Sequence, residues 1–300
     1  MIKHIKWLLP LLLFVSCNKI LKKGDDVVEE IATHQTRKRV VKNLPIHVEL
    51  DRWAKQFKGK VIKKGRSYHI KSADDIFLGK VYKSKNRTVI TTFPLIEKKV
   101  VNPLLNGKLL PNAMYKVEHN VFVTDKYRRV LKAYTDVIPK NKIQRESLRN
   151  ISEKSLSKTQ GRIKGSIKNN KATPINLQKY VAEKQGRKGV DHGGHLIAHS
   201  LGGNSGAINI VPQLGKLNQG AYASIERFVR TQRKHIKHYE VDLVYKGRKK
   251  RPSSFVQSFD FYGSKKEMEK LAKRNPALKF KKVRSGVRSC YRAIIYHSNG

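Results

Sequence analysis

The sequence predicts a mixed α+β fold whose centre is a ββα unit. Two short segments, 191–198 and 209–213, are separated by the turn residues Gly202-Gly203-Asn204, which favours two paired strands. From Leu217 onward, apolar residues recur at the spacing of one helical face, so a helix is expected to begin there and to run towards Tyr239. Alternating segments elsewhere indicate further strands, and together these patterns predict the α+β class.

The first residues are typical of an export signal. A basic stretch at 3–6 precedes an apolar run at 7–15, which is too short to span a bilayer as a mature helix. The sequence Phe14-Val15-Ser16-Cys17 resembles a lipobox, so we expect Cys17 to be the lipidated first residue of the mature protein. An ordinary signal peptide or a membrane-tethered N terminus is the alternative. The expected location is the cell envelope, on its periplasmic or cell-surface face, or outside the cell.

The charge of the chain predicts polyanionic partners. The sequence has 65 lysines and arginines against 22 aspartates and glutamates, a formal net charge of +43. Such an excess favours binding through phosphate neutralisation and counterion release. Charge alone does not choose among DNA, RNA and an anionic envelope surface, because all three attract lysine.

Composition divides the chain into five segments. We expect a signal peptide with lipobox at 1–17, a tether at 18–43, a small α+β module at 44–100, a larger domain containing the ββα unit at 102–263, and a helix-strand extension at 264–300. The module at 44–100 is either a spacer or a substrate-facing accessory. Within the larger domain, the basic stretch 139–188 has two compatible interpretations: a solvated loop, and a basic rim that collects substrate.

Four polar residues of the predicted helix form one stripe. Asn218, Tyr222, Glu226 and Arg230 are successive i, i+4 neighbours. The amide oxygen of Asn218 is a suitable ligand for Mg²⁺, which keeps most of its waters in proteins. Glu226 lies two turns further on, where it would hold metal-bound water, and Arg230 would meet Glu226 or a phosphate.

His195 would supply the base that the helix lacks. A neutral imidazole near a metal-bound phosphate can take a proton from water near neutral pH. Taken singly, His195 would more often be structural, Asn218 a helix cap, and the Glu226–Arg230 pair a weak surface ion pair. Their joint spacing favours the functional interpretation. His192 and His199 are expected to be packing or accessory residues, and Gln213 either bonds the loop or helps the site.

These residues resemble the DNA/RNA non-specific endonucleases of the ββα-metal (His-Me finger) group. The resemblance rests on Asp191-x-x-Gly194-His195-Leu196-Ile197-Ala198, the Gly202-Gly203 turn, Asn209-Ile210-Val211-Pro212-Gln213, and Leu217-Asn218-Gln219-Gly220-Ala221 followed by Glu226 and Arg230. It covers roughly the second half of the chain, so the domain at 102–263 is expected to be endonuclease-like. A lone Gly-His pair would be weak, whereas this ordered combination is specific.

The resemblance implies a role for each motif residue. His195 would be the general base, Asn218 would bind Mg²⁺ or Mn²⁺, Glu226 would orient metal-bound water, and Arg230 would contact the scissile phosphate. The expected core is a ββα-metal nuclease core with an antiparallel sheet. The expected substrates are DNA, RNA or both, cleaved with low sequence specificity to give 5′ phosphates. An immunity protein would be a partner if the protein acts as a toxin.

The sequence departs from the family pattern at Asp191. Many members read Asp-Arg-Gly-His, whereas His192 and Gly193 stand here between Asp191 and Gly194. Either Asp191 keeps its catalytic role at this spacing, or the aspartate and arginine roles have moved. Arg187 is the candidate substitute for the arginine, as a substrate-binding residue.

Two functions follow from these observations. The first is a metal-dependent, sequence-non-specific endonuclease that is exported and lipid-anchored, with scavenging, DNA uptake or toxicity as its purpose. The second is a catalytically silent lipoprotein that binds nucleic acid or envelope polyanions and keeps the nuclease fold. Cleavage of nucleic acid distinguishes them, because the second predicts salt-sensitive binding without turnover.

Overall fold

An eleven-stranded sheet runs through most of the described chain. The computed structural model describes residues 46–96, 100–136, 138, 177–284 and 289–300. The predictions for the signal peptide, for Cys17, for the tether and for residues 139–176 of the basic stretch lie outside the described residues. The mixed α+β class predicted from the sequence is confirmed: the sheet is mostly antiparallel and the helices are few.

The described residues form six α-helices. Their bounds are α1 Ile46–Ala54, α2 Pro103–Asn106, α3 Leu177–Gln185, α4 Gly215–Gln219, α5 Ala221–Thr231 and α6 Lys265–Arg274. Helix α6 begins with a capping box, in which Ser264 and Glu267 satisfy each other's backbone N–H groups. Within the described ranges, no helix is long and apolar enough to cross a membrane.

Several strands of the large sheet alternate buried and more exposed residues, as expected for a sheet with one covered face. Their bounds are β1 Lys60–Lys64, β2 Ser67–Lys71, β3 Phe77–Ser84, β4 Arg87–Thr92, β5 Leu95–Ile96, β6 Val100–Val101, β7 Ala113–Val117, β8 Asn120–Thr124, β9 Val130–Thr135, β10 Asp191–His195, β11 Ile210–Leu214, β12 Ile236–Val244, β13 Ser254–Tyr262, β14 Leu278–Arg284 and β15 Cys290–Ser298.

The order of the large sheet is β1-β2-β3-β4-β7-β8-β9-β12-β13-β15-β14. Neighbouring strands are antiparallel except β4 and β7, which pair in parallel. Strands from 44–100, 102–263 and 264–300 therefore lie in one sheet, and the described residues from His47 onward form one compact unit. The segment boundaries expected from composition stay predictions.

The predicted helix was wrong in its bounds. The helix expected to run from Leu217 towards Tyr239 is interrupted at Gly220 and ends at Thr231, because the chain turns and enters β12 at Ile236. Residues 113–124 form the hairpin β7–β8, with Glu118 in the left-handed region at the turn (φ 53°). Strand β14 was not predicted, although it pairs with β15 along most of its length.

Candidate active site

The predicted ββα unit is present as a hairpin followed by two short helices. Strands β10 and β11 pair antiparallel, with Asp191 opposite Leu214 and His195 opposite Ile210. Helix α4 follows β11 directly, and Gly220, with φ −99° and ψ −107°, separates it from α5. The hairpin forms its own two-stranded sheet, so the site lies beside the large sheet rather than within it.

The amide oxygens of Asn218 and Gln213 converge on Gly194. A Cβ atom at Gly194 would stand 1.9 Å from Gln213 Oε1 and 2.9 Å from Asn218 Oδ1, so a side chain there would displace these amides. Gln213 is buried, and neither its Oε1 nor its Nε2 has a hydrogen-bond partner among the described residues. A buried amide without hydrogen-bond partners lowers the stability of the folded protein. This position is therefore suited to a ligand that is coordinated by amide oxygens.

This donor set fits a hard divalent cation. Neutral amide oxygens with water in the remaining positions are ligands that Mg²⁺ and Mn²⁺ accept. Within the part of the chain that the structure describes, no group of three or more His, Cys, Asp or Glu side chains is arranged to hold a metal. A metal held here would therefore rely on amide oxygens and water rather than on a cluster of charged ligands.

His195 is held from the side of α3. The Gln178 Nε2 atom lies 3.3 Å from His195 Nδ1 and also donates to the Gly193 carbonyl oxygen at 2.9 Å. An amide N–H only donates, so this contact favours the neutral tautomer that carries its proton on Nε2. The His199 ring packs edge-on against His195, with 4.9 Å between the ring centroids.

The positions of His195 and Asn218 can be compared through β10, because Gly194 and His195 are consecutive residues of that strand. Asn218 lies beside Gly194, whereas His195 contacts Gln178. Side chains at adjacent positions of a regular strand point to opposite faces. His195 is the last residue of β10, so its approach to an ion held by Asn218 depends on how the chain turns at this strand end.

Glu226 is oriented towards the loop that follows His195. Its side chain is partly buried, its Oε1 atom is shielded from solvent, and that atom accepts no hydrogen bond from the described residues. Burial raises the pKa of the Glu226 carboxyl to about 8, and a hydrogen bond from the Ala198 backbone N–H opposes this in part. Arg230 is exposed one turn further along α5, and no ion pair joins it to Glu226 in the described ranges.

Two further residues fix the loop between β10 and β11. Asn209 is fully buried; its Oδ1 accepts from the Ile197 N–H at 3.0 Å, and its Nδ2 donates to the carbonyl oxygens of Ile197 and Asn204. Tyr222, also buried, donates to the Leu196 carbonyl oxygen at 2.9 Å. The backbone that follows His195 is therefore held by specific hydrogen bonds.

A buried hydrogen-bond chain reaches this loop from the large sheet. His297 Nε2 contacts Gln257 Oε1 at 2.7 Å, and Gln257 Nε2 donates to the Tyr239 hydroxyl at 2.7 Å. Tyr239 and Tyr222 are hydrogen-bonded to each other, and burial raises the pKa of both phenols. Tyr222 donates to the Leu196 carbonyl oxygen, so the chain ends at this loop.

Asp191 lies at the opposite end of β10 from His195. Its carboxylate is buried and accepts from Arg251 Nε at 2.6 Å, Arg251 Nη2 at 2.9 Å and the Arg187 backbone N–H at 2.7 Å. Burial alone would raise the pKa of the Asp191 carboxyl, but these hydrogen bonds and the two guanidinium charges lower it overall. Arg187 also places its Nη2 atom 3.4 Å from Asp191 Oδ1. The structure thus pairs Arg187 with Asp191 at the base of the hairpin.

Sequence reasoning missed three contributors to this region. Gln178 lies in a stretch noted only for its charge, and Arg251 is distant in sequence from Asp191, so no local pattern indicated either contact. Asn209 was quoted as part of the motif without a role. A buried asparagine between two strand segments was the available signal, because such a side chain needs backbone partners.

Comparison with known proteins places a nuclease-type domain over this site. The family model for the DNA/RNA non-specific endonuclease matches residues 156–260, which include β10, β11, α4 and α5. The matched region is less than half of the chain and lies inside the predicted domain 102–263. No curated protein matches the chain. Residues 156–260 are thus similar to a nuclease, which is a class of hydrolase acting on nucleic acid.

Proposed function

We propose that this protein is a Mg²⁺-dependent, sequence-non-specific endonuclease that hydrolyses phosphodiester bonds of DNA, RNA or both. One observation carries the proposal: the amide oxygens of Asn218 and Gln213 converge on Gly194, the residue before His195, inside the region that is similar to the endonuclease family. The high positive charge of the chain supports a nucleic acid substrate.

Asn218 would hold Mg²⁺, or Mn²⁺ in its place, with Gln213 as the neighbouring oxygen donor. A bound divalent metal would offset the charge that develops on the phosphate and on the leaving oxygen. The buried, unpaired amide of Gln213 supports this assignment, because a cation with its waters would supply the missing partners.

The chain's own residues perform the remaining steps. His195 takes a proton from the water that attacks phosphorus, and Gln178, which contacts Nδ1, orients the imidazole. Glu226 orients water at the site from beneath the loop. Arg230, exposed on α5, neutralises the substrate phosphate, and exposed lysines and arginines hold the backbone without reading bases.

Export and anchoring complete the proposal and rest on the sequence. The export signal at 1–17 and lipidation of Cys17 would place the nuclease in the cell envelope, with a membrane as a second partner. Arg187 keeps its proposed substrate-binding role and Asp191 its proposed catalytic role, although Arg251 donates hydrogen bonds to both carboxylate oxygens of Asp191. If the protein is a toxin, an immunity protein is a further partner.

One observation favours the silent polyanion-binding lipoprotein as the second candidate. His195 contacts Gln178, while Asn218 lies at the adjacent residue Gly194, and in a regular strand these two positions face apart. A chain that kept the fold but lost this convergence would bind nucleic acid without cleaving it.

Incubation of the purified protein with plasmid DNA and with RNA separates the two functions. The nuclease predicts degradation of substrate with Mg²⁺ and none with a chelator. Intact substrate with Mg²⁺ and with Mn²⁺, together with binding that weakens as salt is raised, would support the silent binder and reject the enzyme.

A further inference from the structure

The solvent-facing side of β3 and β4 carries a hollow of about 470 Å³ whose lining includes no residue of the candidate active site. It is lined by Phe77, Lys80, Tyr82, Thr91, Thr92 and Phe93. These six residues include three aromatic rings, one lysine and no acid. The hollow belongs to the segment 44–100, to which the sequence assigned either a spacer or a substrate-facing role.

The aromatic rings of this hollow are available for contact. Phe77 is 42% exposed, and Tyr82 and Phe93 are partly exposed. Phe77 packs edge-on against His69 at 5.3 Å between ring centroids and lies 6.3 Å from Phe93. An exposed phenylalanine supported at its edge presents a flat apolar surface, and a ring stacked upon it would remove that surface from water.

The charges around the hollow match a phosphate backbone. Strand register places Lys80 opposite Thr91 and Thr91 opposite Lys116, so the two lysines lie on the strands either side of β4 and on the same face. With about 4.8 Å between strands, their Cα atoms are roughly 10 Å apart. Both lysines are exposed. A chain crossing these strands would place negative charge over the lysines while its rings lie against Phe77 and Phe93.

We propose that this hollow binds single-stranded nucleic acid by stacking unpaired bases on Phe77 and Phe93, with Lys80 and Lys116 holding phosphates. Every base has a flat face, so such a platform binds without sequence preference. A duplex keeps its bases stacked on one another and offers none to the platform. The choice of nucleic acid as the ligand rests on the proposed function, and the site would give that nuclease a preference for single strands.

The test measures binding rather than cleavage. A His195→Ala protein in chelator is titrated into a fluorescent oligothymidylate and into an abasic oligodeoxynucleotide of the same length, and anisotropy is followed. The abasic strand has the same backbone charge but no bases. We expect the oligothymidylate to bind more tightly, and Phe77→Ala to weaken its binding about fivefold or more while leaving the abasic strand unchanged.

Three further variants make the result specific. Phe93→Ala should repeat the effect if Phe77→Ala fails to fold, and Phe77→Trp should preserve the preference for bases. Tyr296→Ala is the matched control, because Tyr296 is an exposed aromatic residue (45%) of the same sheet, on β15. Circular dichroism verifies folding of each variant.

Two results would overturn the site: equal binding of the two strands by the parent protein, or an unchanged base preference in both Phe77→Ala and Phe93→Ala. Failure of the proposed function gives a different pattern. If the parent protein cleaves no substrate, and Phe77→Ala still abolishes its base-dependent binding, then the stacking site is supported and the nuclease function is rejected.

Discussion

The Tyr222 hydroxyl donates a 2.9 Å hydrogen bond to the carbonyl oxygen of Leu196, the residue that follows His195. This contact joins α5 to the end of β10. It is also the last link of the buried chain from His297 through Gln257 and Tyr239. The position of the histidine is therefore coupled to the core of the large sheet.

Tyr222→Phe removes this link and leaves the Leu196 carbonyl without its donor. We expect a loss of about 1–3 kcal/mol in the free energy of unfolding, the usual effect of leaving a buried group unpaired. We also expect about a tenfold lower kcat with KM unchanged, because His195 would be less well positioned while substrate binding is retained. Urea unfolding and steady-state cleavage assays measure the two effects.

Tyr245→Phe is the matched control for that substitution. Tyr245 donates to the Val130 carbonyl oxygen at 2.9 Å from outside the ββα unit. Removing the Tyr245 hydroxyl should lower the free energy of unfolding about as much as Tyr222→Phe does, and it should leave kcat unchanged. Equal kcat values in the two variants would show that the Tyr222 contact serves stability alone.

The pair formed by Asp191 and Arg251 should dominate the stability of the hairpin. Arg251→Met leaves the buried carboxylate without its bidentate partner, and breaking such a pair costs about 3–5 kcal/mol. Arg292→Met breaks a pair of the same geometry with the more exposed Asp260, so its effect should stay below about 1 kcal/mol. Urea unfolding compares them. Equal losses would mean that burial of Asp191 does not set the strength of its pair.

Glu226 should make the metal-free protein less stable as pH rises. Its pKa is about 8 in the folded protein and near 4.5 when unfolded, so the folded state holds a proton that the unfolded state releases. The resulting stabilisation is fully present below about 4.5 and is lost as pH rises through 8. Each tenfold difference in proton affinity contributes about 1.4 kcal/mol.

Glu226→Gln tests this assignment by replacing the carboxyl with a neutral group of the same shape. In chelator, the variant should show a flatter decline of unfolding free energy between pH 5 and pH 8 than the parent protein. Parallel pH curves for the two proteins would mean that Glu226 titrates normally.

His297 should act in the opposite direction. Burial lowers the pKa of His297 to about 4 in the folded protein, against 6.5 in the unfolded chain. Between these two pH values the unfolded chain binds a proton that the folded chain does not. Stability from this group is present above 6.5 and is lost as pH falls towards 4. His297→Gln keeps a donor for Gln257 and should reduce this acid sensitivity. Thermal melting across the window measures it, and an unaltered acid slope would contradict the assignment.

The sequence predicted the ββα order because its signals are local. The glycine turn at 202–203 and the apolar spacing after Leu217 both act within a few residues of the elements they indicate. The end of the helix was misplaced because the apolar residues of β12 continue the helical pattern by chance. Tertiary pairing then decides the conformation from Ile236 onward.

The candidate site was predictable by residue type but not by contact. The spacing drew attention to Asn218 and Glu226, and the structure adds a convergence with Gln213 that no pattern encodes. Gln178 and Arg251 could not be found in this way, because their partners are distant in the chain and are brought close only by folding. Whether His195 and Asn218 act on one ion stays a prediction.

Cleavage rates of His195→Ala, Asn218→Ala and the double variant test that prediction most directly, with plasmid DNA and Mg²⁺. Residues that act as one unit are strongly non-additive. We predict that each single variant loses about a hundredfold or more in rate, and that the double variant is no slower than the slower single variant. Wild-type rates in either single variant, or a double variant whose loss equals the product of the single losses, would contradict a shared site.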